Sequence, residues 1–106
     1  MVKVFISQPM NGRSKEEILN ERNLAISSLK SDCEVLGQDI KVLDSYFEDY
    51  NPQTGSIPLK YLAKSIELLA DADILLCIGK WESARGCKIE HECAKQYGIK
   101  IVYYDK

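Results

Sequence analysis

Residues 70–105 contain two short apolar runs separated by a polar loop and a helical pattern, and they constrain the fold more than any other segment. The first run, residues 74–78 (ILLCI), has no polar position, which is typical of a strand covered on both faces. Residues 86–97 have helical spacing, Gly98 fits a helix C-cap, and residues 99–104 form a second β-prone run. This order predicts two parallel strands joined by a helical crossover.

The rest of the chain repeats this alternation of strand and helix. Residues 2–6 (VKVFI) predict a first strand, and Ser14 with Glu17 fits the capping box of a first helix. Gly37 is the predicted end of this helical region. Residues 40–43 predict a second strand, and leucines and isoleucines at helical spacing over residues 59–69 predict a second helix. We therefore predict one domain over residues 1–106, a small doubly wound α/β fold. Its Rossmann-like or flavodoxin-like parallel sheet has 4–5 strands, with helices on both faces.

Composition argues against several classes of partner. The 106 residues include 14 basic and 16 acidic side chains, a formal net charge of −2, which is not the basic footprint of a duplex nucleic-acid binder. No apolar run approaches the roughly 20 residues that span a bilayer, and residues 1–12 do not resemble a secretory signal. We expect a cytoplasmic protein with reduced cysteines and no membrane partner.

The loops that follow parallel strands share one edge of the sheet, where open α/β folds bind ligands. At this edge Gly12 and Gly86 allow close approach of a ligand to the backbone, and Arg85 offers bidentate binding of phosphate or carboxylate. Neither a dinucleotide fingerprint nor a P-loop motif is present. The candidate residues are Ser7, Gln8, Pro9, Met10, Asn11 and Gly12 after the first strand, Asp44, Ser45 and Tyr46 after the second, and Trp81, Ser83, Arg85, Gly86 and Glu90 after the third.

Only one of two glutamates on the third predicted helix can face this edge. Glu90 and Glu92 are two residues apart, so at about 100° per residue they point to different sides of the helix. The spacing places Ile89, Cys93 and Tyr97 on one face, which we predict to be the buried stripe, so Glu90 lies on its flank and Glu92 lies further round. Glu90 is therefore the candidate nucleophile or proton carrier, while solvent exposure of both glutamates is the alternative.

Cys87, His91 and Cys93 suggest two other kinds of chemistry. Cys87 and His91 share a helix face at i, i+4, as two zinc ligands do, but no fourth ligand lies nearby in the sequence. We therefore predict no metal. A Cys87 nucleophile activated by His91 is a further alternative. Cys33 and Cys77 are predicted to be buried apolar side chains.

Two segments resemble the nucleoside 2-deoxyribosyltransferase-like superfamily, which includes nucleotide N-glycosidases. They are residues 4–12 (VFISQPMNG) and residues 70–105, and residues 84–92 (ARGCKIEHE) are the most specific stretch. Gly86, Glu90, Ala94 and Gly98 match the positions of the family pattern, and Glu90 matches its nucleophile. The likeness is greatest to a short branch found in bacterial and phage genomes and extends over nearly the whole chain.

The resemblance implies cleavage of the N-glycosidic bond of a (deoxy)nucleoside or its 5′-monophosphate, by hydrolysis or by transfer to a second base. It implies that Ser7, Ser65 and Asp44 contact sugar hydroxyls, that Arg85, Ser83 and Asn11 bind a 5′-phosphate, and that Trp81 or Tyr46 stacks on the base. Asp44 is the candidate acid for the leaving base. No cofactor is required, and a homo-oligomer is expected. Glu92 replaces a glycine and Ser65 replaces an aspartate of many relatives, so a non-catalytic nucleotide-binding module is the alternative.

Overall fold

A computed structural model of the chain describes residues 1–10, 12–31, 38–43 and 50–104. Strands and helices alternate within these ranges. The strands are β1 (Val2–Ser7), β2 (Ile40–Leu43), β3 (Ile74–Ile78) and β4 (Lys100–Tyr104), and the helices are α1 (Lys15–Lys30), α2 (Ile57–Leu69) and α3 (Arg85–Gln96). A 3₁₀ turn, Trp81–Ser83, lies between β3 and α3.

The four strands form a parallel sheet in the order β2-β1-β3-β4. This is the order of the first four strands of a flavodoxin-like sheet. The predicted α/β class, the alternation and the parallel sheet are confirmed, with four strands in the described part of the chain. No helix there is long and apolar enough to cross a membrane.

The two central strands, β1 and β3, divide their side chains between two hydrophobic clusters. Val4 and Ile6 pack with Ile74, Leu76 and Ile78 on the face covered by Ala25 and Leu29 of α1. Phe5 packs with Leu75 and Cys77 on the opposite face, which is covered by Leu69 of α2 and Ala94 of α3. Helices therefore cover both faces, which explains why the five residues of β3 are all buried and apolar.

The predicted start of α1 is confirmed in detail. The Ser14 side chain accepts a hydrogen bond from the Glu17 backbone N–H at 3.1 Å, and the Glu17 carboxylate accepts one from the Ser14 backbone N–H at 3.1 Å. This reciprocal pair satisfies two donors that the helix itself leaves free. It fixes where the chain enters α1 after the loop that follows β1.

Candidate functional site

An open cleft of about 1290 Å³ lies along the carboxyl edge of the sheet, where the loops after β1 and β3 meet. The chain leaves β1 toward one face of the sheet and leaves β3 toward the other, so the crevice between these adjacent strands is the topological switch point of the fold. The described residues that line the cleft come from β1 and its loop, from the first residue of α1, from α2, and from the start of α3.

Glu90 lies in the buried stripe of α3 and lines the cleft. The stripe is Cys87, Glu90 and Ala94, whereas Ile89 is 38% exposed and Tyr97 is 84% exposed. The predicted burial of Ile89 and Tyr97 is therefore wrong, while Cys93 is half-buried and packs against the hydrophobic cluster beneath α3. The small side chains of Cys87 and Ala94 let α3 pack closely on the sheet, and the bulkier side chains face outward. Glu90 belongs to the stripe itself, with only 7% of its surface exposed, while Glu92 is exposed and accepts a hydrogen bond from Gln96.

Two serine hydroxyls contact the Glu90 carboxylate. Ser7, at the end of β1 and 1% exposed, donates to Glu90 Oε1 at 2.6 Å. Burial raises the pKa of Glu90 from its ordinary value of 4.5 to about 7, and hydrogen bonds from Ser7 and Ser65 act in the opposite direction. The site thus holds a buried carboxyl group whose charge changes near neutral pH, a common property of catalytic acids, bases and nucleophiles.

The neighbouring thiols remain protonated at neutral pH. Burial raises the pKa of Cys87 to about 11 and that of Cys77 to about 12. The His91 ring is stacked on Trp81 and its Nε2 is bonded to the Tyr103 hydroxyl at 2.7 Å, so that nitrogen is not directed at Cys87 as a base. Within the described ranges, no group of three metal-ligating side chains lies close enough together to hold an ion.

The rim of the cleft carries groups suited to an anionic ligand. Helices α2 and α3 both begin at the cleft, and neither N-cap residue, Ser56 or Ala84, makes a side-chain capping bond. The backbone N–H groups of an uncapped first turn attract negative charge. Lys15 and Arg85 line the same cleft and provide positive charge, and Ser83 and Gly86 lie beside Arg85.

The structure brings most of the predicted site residues to one edge and assigns some of them other contacts. Pro9 and Met10 line the cleft, and so does Gln8, whose Nε2 donates to Ile18 O at 2.8 Å and to Glu21 at 3.1 Å. Gly12 has a φ of 75° and shapes the turn before α1 without lining the cleft.

Trp81 was predicted to stack on the base of a ligand. In the structure it does not line the cleft, and its ring stacks on that of His91 instead. Asn11, Cys33, Gly37, Asp44, Ser45 and Tyr46 lie outside the described residues.

The sequence interpretation missed the contribution of the first turns of α2. Pro58, Leu59, Tyr61 and Leu62 line the cleft opposite α3, and Leu59 is 60% exposed. In a parallel sheet, the helix that leads into a strand begins at the carboxyl edge, so this placement follows from the topology. Ser65, which lies further along α2 and also lines the cleft, is the one residue of this helix that the sequence predicts for the site.

A class follows from this geometry: a small flavodoxin-like domain with a buried carboxyl group at its switch point. The chain belongs to the family described as Domain of unknown function (DUF4406), whose model matches residues 2–103. It is also similar in fold to a conserved protein from Enterococcus faecalis V583 whose crystal structure is known, with a TM-score of 0.65 and 14% sequence identity. The match covers 97% of this chain and 62% of that protein, so the chain spans less than two thirds of its length. No curated protein matches the sequence.

Proposed function

We propose that this domain cleaves the N-glycosidic bond of a nucleoside or nucleoside 5′-monophosphate, with Glu90 as the nucleophile. The observation that carries the proposal is a carboxyl group, 7% exposed, on the wall of the cleft at the switch point, held by Ser7 at 2.6 Å. A buried carboxylate that serves only the fold is normally paired with a cation. Within the part of the chain that the structure describes, the groups that lower the pKa of Glu90 are instead two neutral hydroxyls.

The chemistry needs one carboxylate and no cofactor. A Glu90 oxygen attacks the anomeric carbon through an oxocarbenium-like transition state, and the bond from that carbon to the base nitrogen breaks with its electron pair going to the base. The product is a glycosyl ester of Glu90 and a free base, which takes up a proton. Water then attacks the anomeric carbon and releases the sugar, or a second base attacks and forms a new nucleoside.

The resemblance to nucleoside 2-deoxyribosyltransferases supports the choice of substrate, since Glu90 matches the nucleophile of that superfamily. The rim supports it independently, because Lys15, Arg85 and two uncapped helix N-termini suit a 5′-phosphate. The cleft, at about 1290 Å³, has room for a ligand of nucleotide size.

A screen of ribonucleosides, deoxyribonucleosides and their 5′-monophosphates for base release tests the proposal. We expect release from at least one substrate, together with a mass increase of one sugar unit on the Glu90 peptide after acid quenching. Addition of a second free base distinguishes transfer from hydrolysis. Tight nucleotide binding with no base release and no adduct would favour a non-catalytic nucleotide-binding module.

The pH dependence of base release distinguishes a nucleophile from a general acid. A nucleophile must be ionised, and the pKa of Glu90 is raised to about 7. We therefore expect kcat/KM to increase with pH to a plateau, and to be about tenfold below the plateau at pH 6. The measurement uses a nucleoside whose base does not titrate between pH 5 and 8. A profile that falls as the pH rises through 7 would assign Glu90 the role of proton donor.

A further inference from the structure

Three aromatic side chains from three different elements form a cluster beside the cleft. Trp81 belongs to the 3₁₀ turn, His91 to α3 and Tyr103 to β4. The rings of Trp81 and His91 are stacked, with centroids 4.0 Å apart and planes 16° apart. The Tyr103 hydroxyl lies 2.7 Å from His91 Nε2, and the Tyr103 ring lies 6.0 Å from that of Trp81. The cluster therefore joins the turn both to the helix that follows it and to the neighbouring strand.

The backbone connects this cluster directly to the rim of the cleft. The Ala84 N–H donates to the Trp81 carbonyl at 3.2 Å, and the Ser83 N–H donates to the Lys80 carbonyl at 3.0 Å. Ser83, Ala84 and Arg85 line the cleft. A displacement of Trp81 would therefore move the residues that form the rim at the start of α3.

The N-terminus of α3 has no side-chain capping hydrogen bond. Ala84 occupies the N-cap and has no side-chain oxygen with which to bond the first-turn N–H groups. Aromatic stacking holds a side chain in place at little entropic cost, because each ring has only two rotatable bonds. The stack on Trp81 anchors the turn that leads into this uncapped end.

We infer that Trp81, His91 and Tyr103 act as a clamp that positions the Ser83–Ala84–Arg85 rim for the ligand of the cleft. The three are positioning residues, since none of them lines the cleft within the described part of the chain. The role in ligand binding rests on the proposed function, whereas the clamping of the turn does not.

Substitutions at Tyr103 and His91 test the clamp. Tyr103→Phe removes only the hydroxyl bonded to His91, and His91→Ala removes the ring stacked on Trp81. Exchange of the hydrogen-bonded Ser83 and Ala84 amides with deuterium should accelerate about threefold for Tyr103→Phe and about tenfold for His91→Ala, because the turn opens more often. KM for base release should increase by similar factors while kcat stays within about twofold, since the reacting carboxylate is not touched.

Tyr104→Phe is the matched control. Tyr104 is the next residue of β4, and its side chain lies on the opposite face of the sheet from Tyr103, where it packs against the hydrophobic cluster beneath α1. It should change neither the exchange rates nor KM. Unchanged exchange of the Ser83 and Ala84 amides in His91→Ala would overturn the clamp, and so would a loss of kcat with KM unaltered. A wild-type protein that releases no base would overturn the proposed function, and the exchange rates would still decide the clamp.

Discussion

Replacing Glu90 with glutamine is expected to reduce kcat for base release by a factor of roughly a thousand or more, with little change in KM. Glutamine keeps the size of the side chain, and its amide oxygen can still accept the hydrogen bond from Ser7, so the shape of the cleft is retained. It cannot form the glycosyl ester. The measurement is steady-state base release on the best substrate of the screen, together with mass spectrometry of the quenched enzyme, which should find no sugar adduct.

Glu92→Gln is the control for this experiment. Glu92 lies on the same helix two residues away, but it is exposed and bonded to Gln96 rather than to the cleft. Its substitution removes the same charge from α3 and should leave turnover within about twofold of the wild type. Turnover by the Glu90 variant within tenfold of the wild type would exclude Glu90 as the nucleophile.

The same Glu90→Gln change is expected to stabilise the fold above neutral pH. Burial raises the pKa of Glu90 to about 7 from 4.5, so between these values the native state holds a proton that the unfolded chain has released. The free energy of unfolding therefore decreases as the pH rises from about 4.5 to about 7, and the total loss is roughly 3 kcal/mol. The substituted glutamine is neutral throughout this range, so the variant avoids the loss.

Urea unfolding at pH 5, 6, 7 and 8 measures this effect. At pH 5 the Glu90→Gln variant and the wild type should have nearly equal free energies of unfolding, and at pH 8 the variant should be more stable by roughly 2–3 kcal/mol. Glu92→Gln should follow the wild type at every pH, because it leaves the buried group unchanged. A Glu90→Gln variant less stable than the wild type at pH 8 would show that the carboxylate supports the fold, and the catalytic assignment would lose its main structural argument.

Together these two experiments separate a functional carboxylate from a structural one. A carboxylate that serves the fold should increase the free energy of unfolding when it is ionised. A buried carboxylate that serves catalysis is expected to decrease the free energy of unfolding when it is ionised. Burial disfavours the negative charge of Glu90 more than the hydroxyls of Ser7 and Ser65 favour it, so its pKa is raised. The expected combination is a variant that is more stable and inactive.

The fold was predictable because its signals are local or strictly periodic. The fully apolar run at residues 74–78 indicated a strand covered on both faces, and Ser14 with Glu17 indicated the start of α1. Both predictions are confirmed. The start of α1 and both ends of α2 and α3 agree with the prediction to within two residues, since caps and glycines such as Gly98, with a φ of 73°, mark them locally. Helix α1 ends at Lys30, well before the predicted end at Gly37.

The orientation of α3 was less predictable. A helical wheel assigns the largest apolar side chains to the core, which favoured Ile89 and Tyr97. The structure buries Cys87 and Ala94 instead, because close packing of a helix on a sheet favours small side chains at the point of contact. Trp81 illustrates the same difficulty. Its place in the loop after β3 suggested a contact with the ligand, and no local signal indicated that His91 and Tyr103 would meet it.

The sequence by itself determined the alternation of strands and helices, the edge at which their loops meet, and the separation of Glu90 from Glu92 by the geometry of a helix. Only the tertiary structure decided that Glu90 is buried, that Ser7 and Ser65 hold it, and that its pKa is raised to about 7. The physical reason is that Ser7, Ser65 and Glu90 belong to three separate elements. The distances between these side chains, and their burial away from water, arise from the packing of β1, α2 and α3 against one another. No local sequence pattern encodes that packing.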